Sequence, residues 1–237
     1  MSAQTPVAEL GVVVALPIEA GSFGLERRRA GECENFDWGA LAIAGPGFER
    51  ATLAAQRLIE RGARALLSWG IAGGLSPGLA TGDLLLPQRV VSDHGEWTTD
   101  PALRARVQQA LAGRVCEGGD LYCSRAPVTS VQAKRALAIR NMLAVDMESA
   151  AVAAIAQQAG LPFVAVKAIC DPASREIPSA ALRLLDEGGG MRWRALPGVL
   201  REGPRTWRSL TVLREDLATA RGSLWRAARV LPRCAQP

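Results

Sequence analysis

Histidine and lysine are scarce in this 237-residue chain, cysteine pairs are missing, and each scarcity removes a class of chemistry. His94 is the one histidine, which leaves little room for a Ser-His-Asp triad, so carboxylates must carry any acid–base work. The five cysteines (33, 116, 123, 170 and 234) form no CxxC pair and are odd in number. Beside a single histidine they make no zinc site, so no metal is expected, and reduced thiols in a cytoplasm fit best. No uninterrupted apolar run of about 18 residues occurs, so no transmembrane helix is expected. The first nine residues lack the basic cluster of a signal peptide, and Glu9 and Glu19 flank the first apolar run. Lysine occurs only at 134 and 167 against 26 arginines, a bias that reads as genome base composition.

What is present describes a folded chain. Hydrophobic residues are 49%, charged residues 22% and mean hydropathy is +0.09, which excludes intrinsic disorder. The length suits one or two domains with a large core that needs no disulfide or metal staple. The net charge of +5 is uneven. Residues 192–237 hold ten arginines and three acids, a net +7, which leaves the preceding body at −2. Gly188-Gly189-Gly190 reads as a flexible joint between a body, residues 1–190, and a basic Arg/Trp-rich helical extension, residues 191–237.

Strands and helices alternate along the body. Leu10–Leu16, Ala40–Ala44, Ala65–Trp69, Asp83–Ser92 (a strand pair, or one long strand interrupted by Pro87), Arg114–Cys123 and Pro162–Cys170 read as strands. Glu49–Arg61, Pro101–Ala112, Val131–Asn141 and Met147–Ala159 read as helices, with Gly62 and Gly160 as stops. This order predicts an α/β fold with a mixed central β-sheet flanked by helices. Ligands in such folds bind at the C-terminal ends of strands. Glu19 after the first strand, the Gly70–Gly74 loop and Asp171 at the end of the last strand stand there.

Three carboxylates carry the chemical interest. Asp171 ends an apolar strand, where partial burial raises its proton affinity and suits it to a general acid. An Asp-Pro turn is the ordinary alternative. Glu148 falls in the first turn of an Ala-rich helix, whose dipole favours an ionised acceptor for ligand hydroxyls. Taken in isolation, an acid at a helix start with no ligand is the preferred reading. Glu19 has the same standing, and a glycine loop alone is a weak signal.

In combination, VALPIEA, GIAGGLSPGLATGDLLLP, AVDMESAAVAAIA and VAVKAICDPA resemble, in order, the nucleoside phosphorylase/nucleosidase superfamily over roughly residues 10–175. The resemblance implies a three-layer sandwich and cleavage of a nucleoside's N-glycosidic bond. Pro17-Ile18-Glu19, the MES-A helix and the long Arg/Trp tail are similar to the hopanoid-associated phosphorylases, also described as adenosylhopane nucleosidases. The methylthioadenosine/S-adenosylhomocysteine nucleosidases are the near alternative, and purine nucleoside phosphorylase a further one. A non-catalytic nucleoside- or lipid-binding protein is the rival of another class.

The resemblance implies roles. Asp171 would protonate adenine at N7 and Glu19 would activate water. Glu148 would hold the ribose hydroxyls, with Met147 against the sugar or base. Gly70, Ile71, Gly73, Gly45 and Gly47 would line the ribose and nucleophile end. Phosphorylases of the superfamily carry Arg and Ser around the glycine loop, where this chain has Ser68 and Ile71. Water is therefore preferred to phosphate, with Arg50 the nearby cation for a phosphate contact. No cofactor is implied, and phosphate enters only as an alternative co-substrate. Cys123-Ser124-Arg125 replaces the aromatic base-pocket segment of relatives. Cys170 stands where relatives often have serine, and His94 belongs to a surface loop.

In the tail, Trp207, Leu210, Leu213, Leu217, Leu224 and Ala228 recur at helical spacing, with arginines between them. A helix packed on the sheet with a solvated Arg face is one reading. Peripheral membrane contact through residues 192–237, with Trp193, Trp207 and Trp225 at the boundary, is the other. No nucleic-acid motif accompanies the charge. The expected setting is the cytoplasm, at the inner face of the membrane, and relatives imply a homo-oligomer acting on a lipid-linked adenine nucleoside.

Overall fold

A computed structural model describes residues 10–112, 115–186, 188–190, 192, 194, 198–199 and 201–234. The strands are β1 (Leu10–Val14), β2 (Cys33–Phe36), β3 (Gly39–Ile43), β4 (Ala65–Gly74), β5 (Leu84–Leu86), β6 (Arg89–Ser92), β7 (Gly95–Thr98), β8 (Val115–Glu117), β9 (Asp120–Cys123), β10 (Met142–Asp146) and β11 (Phe163–Asp171). The helices are α1 (Pro17–Ala20), α2 (Phe48–Glu60), α3 (Pro101–Leu111), α4 (Val131–Ala138), α5 (Ser149–Gln158), α6 (Ser179–Arg183) and α7 (Pro204–Ala228).

The strands form one mixed sheet in which β4 is the spine. Its first half runs parallel between β1 and β11. Its last residues, Gly73 and Gly74, pair antiparallel with β10. The expected Gly70–Gly74 loop is therefore a continuation of strand. With no side chain at Gly70, Gly73 and Gly74, this stretch can pass close to other elements and still pair with β11 through Ile71 and Ala72.

Both faces of the sheet are covered, which is why LGVVV and FVAVKAICD read as unbroken apolar runs. Period-2 alternation splits them. Val13, Leu66, Ala165 and Ile169 face α2 and α5. Val12, Val14, Leu67 and Val166 face α3 and α7. This is the expected three-layer α/β arrangement. Alanines dominate the facing surfaces of α2 and α5, among them Ala51, Ala54, Ala55, Ala150 and Ala151.

Several expectations change. β2 pairs antiparallel with β3 at a sheet edge, and its half-exposed CENF carries little apolar pattern. β10 hides between two helical patterns; α4 ends at Ala138, and Asn141 at φ +60° turns the chain into the strand. Gly118 and Gly119, both at positive φ, divide the expected strand over 114–123 into β8 and β9. Gly188–Gly190 form a turn. Asp186 Oδ1 accepts from Gly188 N and Gly190 N at 2.8 Å, and Asp186 N donates to Gly190 O. Within the tail, Pro204–Ala228 form one long helix, α7, whose Ala220, Leu224, Ala227 and Ala228 join the core against β11. Trp207 and Trp225 remain 48% and 46% exposed, and Trp193 lies outside the described residues.

Candidate active site

β1, β4, β10 and β11 all end toward one cavity of about 580 Å³. Glu19, Arg50, Ile71, Gly73, Met147, Glu148, Cys170 and Asp171 line it, so the carboxylates spread over the sequence meet in space.

Glu19 is placed by a one-turn helix that Pro17 starts directly after β1. Its buried carboxylate folds back on the strand end. Oε2 accepts from Ala15 N and Leu16 N, each at 2.8 Å, and Oε1 from Ile71 N at 2.9 Å. Gly70 explains how it fits, because a Cβ there would overlap this carboxylate. Gly70 thus backs Glu19 instead of lining the cavity. Burial pushes the carboxyl above the ordinary range, against the pull of Lys167 and the three amides. A carboxylate offers about four acceptor sites, so one is left over for a water.

Glu148 sits one residue before α5, as its N-cap, and not within its first turn. Its Oε1 accepts from Gly47 N at 2.8 Å. The expectation of a firmly ionised group is reversed here. Burial, then the neighbouring charge of Asp146, raise it from 4.5 to about 7. Gly45 and Gly47, at φ +84° and +104°, bring the β3–α2 connection close, and Gly45 N is bound to Ala15 O. Arg50 packs against Gly45 beside the cavity.

Asp171 is the last residue of β11 and is buried. As expected, burial raises its proton affinity, here opposed by a cation that the sequence reading left aside. Lys134 of α4 is paired with Asp171 Oδ2 and also donates to the carbonyls of Pro172 and Arg175 at 3.0 Å. Gly73 leaves room for the acid, since a Cβ there would stand 3.2 Å from Asp171 Oδ2.

A polar floor also escaped the sequence reading. Lys167 of β11 pairs with Asp146 at 2.9 Å and donates to Ser68 Oγ at 3.0 Å. Ser68 Oγ meets Ser149 Oγ at 2.9 Å, and Ser149 N donates to Asp146 Oδ2 at 3.0 Å. Asp146 Oδ1 is buried and has no hydrogen-bond partner among the described residues. The available signal was compositional. Both lysines of an arginine-rich chain are buried here, each paired with an aspartate.

Other residues stay apart. His94 is exposed and off the cavity. Cys123, Ser124 and Arg125 do not line it, although Ala126, Pro127 and Val128 just after them do. Arg125 lies over the Phe48 ring at 5.2 Å. Burial pushes the Cys170 thiol far up, so it stays protonated and is no nucleophile.

A three-layer mixed sheet with carboxylates at strand ends, three of them (Glu19, Glu148 and Asp171) raised by burial around one cavity, defines a site for acid–base chemistry on a small polar ligand. Residues 39–187 match the family model described as the Phosphorylase superfamily. The chain belongs to that superfamily, as its motifs suggested. It is 32% identical to 5′-methylthioadenosine/S-adenosylhomocysteine nucleosidase from Treponema pallidum, in a match covering 58% of this chain and 69% of the relative. Its fold is similar to that of the same-named enzyme from Neisseria meningitidis, with TM-score 0.67, 19% identity and coverage of 96% and 98%. It is also similar to futalosine hydrolase of Helicobacter pylori, with TM-score 0.68, 18% identity and coverage of 96% and 97%. The expected enzyme class, one that cleaves N-glycosidic bonds, agrees with these relatives.

Proposed function

We propose that this protein hydrolyses the N-glycosidic bond of an adenine nucleoside with a large apolar 5′ substituent, and that adenosylhopane is its substrate. The observation that carries this is the apolar mouth of the cavity. Leu182 and Leu185 line it yet are 38% and 43% exposed, and Leu16, Pro46 and Ile177 continue the apolar wall. A hydrocarbon tail leaving the cavity would cover them.

The reaction follows from the acids. Water attacks C1′ as the C1′–N9 bond breaks, and the bonding pair leaves with adenine. Asp171 gives its proton to N7, and Glu19, through its spare acceptor site, takes the proton from water. Glu148 accepts from the ribose hydroxyls, Met147 lies against the sugar or base, and nearby carboxylates favour the oxocarbenium-like transition state. Phosphate is disfavoured as nucleophile. Ile71 N already serves Glu19, Ser68 is sealed beneath the cavity, and Lys167 is paired with Asp146. Arg50 is the residue that a phosphate would use.

Methylthioadenosine or S-adenosylhomocysteine cleavage is the second reading, favoured by the Treponema pallidum relative. No helix among the described residues is long and apolar enough to cross a membrane. A lipid substrate would be met at the inner membrane face. Trp207, Trp225 and the arginines of α7 support that contact, and assembly into a homo-oligomer belongs to the same proposal. The test is product analysis with adenosylhopane, methylthioadenosine and S-adenosylhomocysteine, each with and without phosphate. Phosphate-independent release of adenine and ribosylhopane is expected. Strict phosphate dependence refutes the hydrolase, and release from the small nucleosides alone refutes the lipid substrate.

A further inference from the structure

Helix α4 presents one buried side chain to the protein, and it is Lys134. Burying an ammonium is expensive, and a hydrophobe of similar volume anchors a helix as well or better. The lysine is therefore explained by its charge and not by packing. Its three N–H donors are shared among four acceptors: Asp171 Oδ2, the carbonyls of Pro172 and Arg175 at 3.0 Å, and the carbonyl of Asp171 itself at 3.5 Å. This ties α4 to the end of β11 and to the segment after it. Asp171 Oδ1 accepts no hydrogen bond from the described residues, and Asp171 lines the cavity.

We propose that Lys134 is a positioning residue for Asp171, locking Oδ2 so that Oδ1 is left for the base, and stabilising the carboxylate that remains when the proton has gone to the purine. The inference rests on the reading of Asp171 as the acid. The other charges facing this carboxyl are Arg175, on the segment after β11, and Asp216 of α7, which pair with each other. The adjacent Cys170 thiol is protonated. Lys134 is thus the cation directly bonded to the acid. Its pull is toward the ionised form and burial's is the opposite. Together they leave Asp171 able to hold a proton and also to release it. An arginine carries its five donors in a planar fork that matches acceptors gathered around one point poorly. That accounts for a lysine in a chain that uses arginine nearly everywhere.

The test compares Lys134→Met, Lys134→Arg and Asp171→Asn by adenine release from adenosylhopane and methylthioadenosine across pH, with thermal melting to confirm the fold. Without the ammonium the acid is weaker and keeps its proton to higher pH. Lys134→Met is expected to lower kcat about 10- to 100-fold, a part of the roughly 10²–10⁴-fold that a positioned acid supplies, with KM little changed. The alkaline limb of kcat is expected to move up by about 1–3 pH units. Lys134→Arg, which keeps the charge, returns the limb toward its wild-type position. If Asp171→Asn is inactive while Lys134→Met keeps the wild-type rate and limb, the role of Lys134 is refuted and the acid stands. If Lys134→Met loses rate with no movement of the limb, its part is structural and the proposal fails. If Asp171→Asn releases adenine normally, or the wild type cleaves neither nucleoside, the acid reading falls and this inference with it.

Discussion

Glu148→Gln is expected to stabilise the protein while removing its grip on ribose, and the stabilisation should depend on pH in a defined direction. The carboxyl has an ordinary value of 4.5 and stands at about 7 in the fold. Below pH 4.5 it is protonated in both folded and unfolded chains and contributes no difference. Between 4.5 and 7 the folded protein holds a proton that the unfolded chain has released, so stability falls as pH rises. Above 7 the penalty is complete. At about 1.4 kcal/mol per pH unit the full displacement corresponds to about 3 kcal/mol. Water in the open cavity screens part of this, leaving about 1–2 kcal/mol. Glutamine keeps the acceptor for Gly47 N and has no charge to desolvate. For a chain of this length the variant should melt roughly 2–8 °C above wild type at pH 8. At pH 5 the difference should nearly vanish. The assay is calorimetric or fluorescence melting at the two pH values, beside adenine release. A variant no more stable at pH 8, or equally stabilised at both, refutes the claim that burial beside Asp146 sets the proton affinity of Glu148.

Two more substitutions test the geometry. Gly70→Ala pushes a methyl group into the Glu19 carboxylate and breaks its bond to Ile71 N. About 1–3 kcal/mol of stability and about 10²-fold or more of the adenine-release rate should be lost, and a near-normal rate would show that Glu19 need not stay where it is. The pair Leu182→Asp and Leu185→Asp should cut cleavage of adenosylhopane at least about tenfold, as expected for losing apolar cover worth more than about 1.4 kcal/mol, while methylthioadenosine cleavage changes little. Equal losses on both nucleosides would mean that the mouth does not read the 5′ group.

Much of this was legible in the chain. Runs such as LGVVV and PFVAVKAIC had to be strands covered on both faces, and the acids at their ends had to gather where parallel strands finish. What failed has physical causes. β10 is five residues between two helical patterns, too short for its period to show. GIAGG looked like a loop because glycine weakens strands, whereas here it makes room for Glu19 and Asp171. Glu148 was read from the helix dipole alone, but the charge of Asp146 acts through space and cannot be seen in a linear motif. In the sequence, Lys134 and Lys167 carry no signal beyond base composition. What gave them meaning is tertiary, namely burial against Asp171 and Asp146.

The placement of the two lysines gives the protein an unusual chemical fingerprint. Both ε-amino groups are sealed in ion pairs at the same cavity, and every other side-chain cation apart from His94 is a guanidinium. Amine-directed reagents such as activated esters therefore find no side-chain target on the folded surface. Their rate of attachment at Lys134 and Lys167 becomes a clock for opening of the site, read by mass spectrometry at two peptides. A nucleoside that closes the cavity should slow that clock, whatever substituent it carries at its 5′ position.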